Sequence, residues 1–95
     1  MAQYIALVHK DAGTSYGVSF PDVPGCVSAG DTFEEAIGNA AEALSGHFSA
    51  MRADGEAIPT PRDFESLKRD PEFIEDSEDA IVTMIAPKGV MAAAE

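Results

Sequence analysis

Seventeen carboxylates, two histidines and one cysteine are the groups in this 95-residue sequence best able to do chemistry. Metal-assisted cleavage of a phosphodiester needs several carboxylates converging on ions about 3.5–4 Å apart. Asp11, Asp22 and Asp31 do not make such a set, because they stand at turns or helix caps, where aspartate has a structural task. His9 ends a strand and His47 lies on a long helix. Spacing places no serine, cysteine or carboxylate beside either, so no triad is argued. Cys26 opens a strand just behind a tight turn. A reactive thiolate there would need nearby positive charge, and the flanking sequence has none. No catalytic residue, metal ligand or cofactor site is therefore assigned. The remaining enzymatic reading is a divergent metal-dependent nuclease, whose activity would fall when Asp22 or Asp31 is replaced by asparagine.

The densest charge lies in Asp70–Asp79, with six acids and no base. One reading is a solvated acidic loop. The other is a surface for a basic partner, with Glu72, Glu75, Asp76 and Glu78 forming a charged rim around apolar anchors Phe73 and Ile74. The net charge of −11 repels phosphate backbones, which argues against direct nucleic-acid binding. A basic partner is steered in by the same charge, although solubility alone also accounts for an acidic composition. No run of eighteen apolar residues is present, so no membrane span is expected. The N-terminus lacks a basic start and reads as a strand, not a signal peptide. A single cysteine fits a reducing cytoplasm.

The elements that position these groups follow from periodicity. Residues 3–10 form a strand with Ile5 and Leu7 on one face and Tyr4, Ala6 and Val8 on the other. Apolar residues on both faces imply a strand covered on both sides. Residues 11–15 make a turn into a second strand, Tyr16 to Phe20, where Tyr16, Val18 and Phe20 alternate with Gly17 and Ser19. Pro21 stops the ladder, having no N–H to donate. Pro24-Gly25 predicts a type II turn, and Cys26 to Gly30 the returning strand. Asp31 or Thr32 caps a helix reaching about Ala53, and Thr32 with Glu35 fits a capping box. Its apolar stripe is Phe33, Ile37, Ala40, Ala41, Leu44, Phe48 and Met51. Gly38 and Gly46 each cost that helix about 1 kcal/mol relative to alanine, and close approach to the sheet is a reason for Gly38. Asp54-Gly55 supplies the stop. Two prolines make 56–63 extended. Asp63–Arg69 fits one or two helical turns, with Phe64 and Leu67 inward. Ala80–Ala86 is the last strand, ended by Pro87. The order β-β-β-α-β predicts an α+β domain, an antiparallel sheet with one long helix packed on a face. A chain this short buries only about 60–65% of its unfolded surface, so a homodimer or higher homo-oligomer is expected, with open sheet edges as the means.

The run Tyr16-Gly17-Val18-Ser19-Phe20-Pro21-Asp22-Val23-Pro24-Gly25-Cys26, followed by Gly30-Asp31-Thr32-Phe33-Glu34-Glu35-Ala36, resembles the HicB-like antitoxin family of bacterial toxin–antitoxin pairs. The resemblance covers residues 3 to about 50, with a strand of suitable spacing near 80–87. It implies a reduced ribonuclease-H-like α+β fold. It also implies an antitoxin, not an enzyme, that neutralises a small basic HicA-type toxin. That toxin cleaves RNA on a double-stranded-RNA-binding-like fold, and the antitoxin masks its RNA-binding and active surface. Toxin-facing residues do not carry over from the motif, because Pro21, Pro24, Gly25, Asp31 and Thr32 set turns and the cap. The alternative is an orphan HicB-like interaction domain with no toxin partner. The domain is expected to span 1–87, with a short tail at 88–95. Many family members continue into a DNA-binding module that does not fit in that tail, so the chain is either a single-domain member or a fragment.

Overall fold

The computed structural model describes residues 2–10 and 13–88. Asp11 and Ala12 of the expected first turn, and the tail beyond Lys88, lie outside the described residues. Four strands, β1 (Tyr4–Lys10), β2 (Tyr16–Ser19), β3 (Val27–Gly30) and β4 (Ile81–Ile85), form one sheet in the order β3-β2-β1-β4. All neighbours are antiparallel, with Val8 opposite Val18 and Ile81, and Val18 opposite Ser28. The five residues Tyr4 to Val8 are all buried. Alternation sends Tyr4, Ala6 and Val8 into one core and Ile5 and Leu7 into another.

The first core lies under α1 (Phe33–Ala53). Thr32 caps this helix by accepting the Glu35 N–H at 3.0 Å. The Glu35 carboxylate reaches back to the Asp31 N–H at 2.7 Å, one residue earlier than a standard capping box requires. At the other end Gly55 takes φ +76°. The Glu56 N–H bonds Met51 O at 2.8 Å and the Gly55 N–H bonds Arg52 O at 3.1 Å, which is a Schellman stop. The fully buried stripe is Ala36, Ala40, Leu44 and Phe48. Phe33, Ile37, Ala41 and Met51 flank it, half-buried. Ala36, absent from the expected stripe, is there because the helix sits very close to β3. A Cβ added at Gly30 would stand 2.7 Å from Ala36 Cα and 2.8 Å from the Glu35 carbonyl carbon. Close approach therefore belongs to Gly30, whereas Gly38 faces open space.

The second core supplies the expected cover on the other face of β1, and adds a helix in the acidic stretch to the helical turn expected at 63–69. Two short helices, α2 (Phe64–Leu67) and α3 (Pro71–Asp76), place Leu67 and Phe73 against Ile5 and Leu7. The sheet is thus covered on both faces. Asp63 caps α2 by accepting the Ser66 N–H at 2.8 Å. Asp70 caps α3 by accepting the Glu72 N–H at 2.9 Å, with Pro71 in the first turn. The acidic stretch is therefore largely helical, not a loop. Phe64, expected inward, is 47% exposed and lies edge-on to Phe73 at 6.2 Å.

Gly30→Ala should destabilise the fold by about 1–3 kcal/mol through overpacking against the helix backbone. Gly38→Ala, in open space on the same helix, should stabilise it by about 0.4–1 kcal/mol. Urea titration of the two variants beside the parent chain measures both.

Candidate protein-interaction site

Between Phe20 and Cys26 the chain makes two successive turns. The Val23 N–H donates to Phe20 O at 3.1 Å and the Cys26 N–H to Val23 O at 3.2 Å. Gly25, at φ +85°, occupies the position that a type II turn reserves for positive φ. The turns bury Phe20, Val23 and Cys26 and leave Pro24 and Gly25 exposed. Burial pushes the Cys26 thiol up, away from the reactive thiolate form.

Asp22, inside these turns, is tied across forty positions to Arg62. It accepts the Arg62 backbone N–H and the guanidinium Nε, each at 2.7 Å. Arg62 Nη1 also donates to Asp70 at 3.1 Å, so one guanidinium joins the Pro-Gly turn to the cap of α3. Asp22, then Asp70, raise the arginine's affinity for its proton. The Arg62 guanidinium, then the Glu72 N–H, hold the Asp70 carboxyl below the usual aspartate range. His9 adds a second tie, its Nε2 lying 2.8 Å from the Asp76 carbonyl oxygen that accepts its proton. The nuclease reading asked Asp22 to bind metal, but both its oxygens are engaged by Arg62. Among the described residues, no three histidine, cysteine, aspartate or glutamate side chains converge as a metal-binding group. No described helix is long and apolar enough to cross a membrane.

Between the Pro-Gly turn and α3 lies a cleft of about 300 Å³. Leu7, Phe20, Val23 and Phe73 give it an apolar floor, and Glu72 and Asp76 stand on its α3 side. Of the six residues proposed from sequence as a partner surface, only Glu72, Phe73 and Asp76 line this cleft. Glu75 and Glu78 are exposed outside it, and Ile74, 49% exposed, remains available as an apolar anchor. Phe73 is 5% exposed, so its role as a protruding anchor is corrected: it is spent on the core. Arg62 is the residue that sequence reasoning missed. Its one signal was a lone arginine in a proline-bounded segment otherwise poor in base. The arrangement has no nucleophile held by a base. It offers instead a partly apolar recess in which Arg62 and Asp70 pair with each other and Glu72 and Asp76 are the further carboxylates.

A family model described as the HicB-like antitoxin of bacterial toxin–antitoxin systems matches residues 4–91. An uncharacterized 14.9 kDa protein from the rep–hol intergenic region of Haemophilus phage HP1 is 47% identical over 70 residues, which is 74% of this chain and 50% of that protein. The chain thus spans half the length of this relative. The crystal structure of the Burkholderia pseudomallei antitoxin HicB is similar with TM-score 0.76 and 36% identity, covering 90% of this chain and 63% of that one. A chain of a HicA3–HicB3 toxin–antitoxin complex is similar with TM-score 0.70 and 29% identity, covering 88% of this chain and 95% of that one.

The Arg62 clamp predicts a pH-dependent contribution to stability. The folded Asp70 value lies below its ordinary 3.8. The contribution is therefore complete above that ordinary value and is lost as pH falls through the folded one. Arg62→Ala should lower the urea midpoint at pH 7, and the difference from the parent chain should shrink as Asp70 protonates. A difference that persists unchanged in acid would remove the clamp from the account.

Proposed function

Because the chain belongs to the HicB-like antitoxin family of bacterial toxin–antitoxin systems, we propose that it neutralises a small basic HicA-type toxin. The toxin is an RNA-cleaving protein, and the antitoxin covers its RNA-binding and active surface. The observation that carries this reading is the acidic α3 face beside an apolar-floored cleft, on a chain of net charge −11. The similar fold in the HicA3–HicB3 complex supports the partner class.

Neutralisation in this reading is steric and electrostatic. Charge opposite to the toxin's steers the encounter. Glu72 and Asp76 receive lysine or arginine side chains that would otherwise hold RNA phosphates. Ile74 packs against apolar surface on the toxin, while Glu75 and Glu78 extend the acidic rim. The antitoxin contributes no reacting group: Asp22, Asp63 and Asp70 are used to fix turns and helix starts. RNA is excluded because the surface that would bind it is occupied by carboxylates.

Co-expression with the small basic reading frame beside the gene should restore growth and yield a co-purifying complex. Glu72→Lys/Glu75→Lys/Asp76→Lys should slow association about tenfold or more at low salt and flatten its dependence on ionic strength. Association unchanged across a salt series would exclude α3 from the interface.

A further inference from the structure

The two edges of the sheet differ. At the β3 edge α1 lies alongside, and Asn39 Nδ2 donates to the Ala29 carbonyl at 2.9 Å, using a backbone acceptor of that strand. At the β4 edge no further strand pairs among the described residues. Native edge strands are usually guarded by a lysine, a proline or a bulge. Residues 80–86 contain no charge and no proline, and Ile81, Val82 and Met84 are 52%, 40% and 54% exposed. Ile81 lies in register with Val8 on one sheet face, and Val82 and Met84 with Leu7 and Ile5 on the other. The strand is thus apolar, with Ile81 exposed on one face and Val82 and Met84 on the other, Ile85 alone being buried in the first core, and its outer edge pairs with no strand among the described residues.

Its sequence selects the occupant. Ile81-Val82-Thr83-Met84-Ile85 is symmetric in character about Thr83. A two-fold axis through Thr83 would set Ile81 opposite Ile85 and Val82 opposite Met84, giving apolar pairs on both faces. In the same register Glu78 of one copy falls opposite Lys88 of the other, whose Nζ lies 2.8 Å from Glu42 of its own copy and would be shared between the two carboxylates. Elsewhere two chains of charge −11 repel each other, which confines self-association to an uncharged strip. A basic partner finds no carboxylate within this strand. We propose that β4 pairs antiparallel with β4 of a second copy, joining the two sheets into one. No residue of β4 lines the acidic cleft, so the pairing leaves that cleft open on each copy and stands apart from the toxin reading.

Sedimentation equilibrium of the purified chain at micromolar concentration should give a dimer. Val82→Lys/Met84→Lys should raise its dissociation constant at least about tenfold, because the register sets lysines directly opposite one another. Each copy moves from −11 to −9 in that variant, so weaker dimers do not follow from greater net repulsion. Far-UV circular dichroism shows whether the variant stays folded. Thr83→Cys supplies a second readout with little change of bulk. Side chains directly opposite across the axis have Cβ atoms about 4.5–5.5 Å apart, near disulfide reach, so mild oxidation should give a covalent dimer. A monomeric parent chain, a dimer indifferent to the folded lysine variant, or a dimer that residue 83 does not crosslink would each overturn the proposal.

Discussion

A strand buried on both faces must be covered on both faces, and β1 sets that condition with five successive buried residues. Its alternation divides the domain into two unequal cores. One cover is α1, long enough to bring four residues of one stripe onto the sheet. The other is built from α2 and α3, only four and six residues long. Helices that short do not hold together in water by themselves. Leu67 and Phe73 each contribute roughly 1.5–3 kcal/mol by burial, and the aspartate caps satisfy the helix starts. Arg62 and His9 then tie the pair to the Pro-Gly turn and to β1. The acidic face of α3 stands where it does because Phe73, on the same helix, is needed beneath the sheet.

Much of this was legible in sequence, for physical reasons that differ by element. The two-faced character of β1 shows because alternate positions are apolar in both sets. The Pro24-Gly25 turn and the Thr32 cap show because backbone chemistry there is local, fixed by φ and by one side-chain acceptor. Ala36 was missed because a stripe counted from large side chains overlooks a methyl group at the point of closest approach. Gly30 was missed for the same reason, since its role is set by a helix that returns over it. The start of α3 was written as Asp70-Pro71-Glu72, a cap, a first-turn proline and an acid near the helix start. Its density of carboxylates masked that signal. Phe73 and Ile74 are adjacent in sequence, yet on a helix they point differently, and only tertiary packing decides which one is buried. Arg62 was beyond reach, because its partner Asp22 lies forty positions away.

The Pro-Gly turn and the acidic face are therefore mechanically linked, through Arg62. The turn residues line one side of the cleft, and Asp22 within them is joined through Arg62 to the cap of α3 on the other. In the proposed function, charge gives this surface its selectivity for a basic protein. The uncharged β4 strand lies apart from that cleft, so the proposed partner site and the proposed self-pairing use separate surfaces of a small domain.

The most direct measurement is amide hydrogen exchange across the chain, alone and with the proposed basic toxin added. Binding through the acidic cleft predicts new protection concentrated at residues 70–78 and around the turn at 21–27, with the outer face of α1 unchanged. Protection confined to the exposed face of α1, with 70–78 exchanging as in the free chain, would contradict the account.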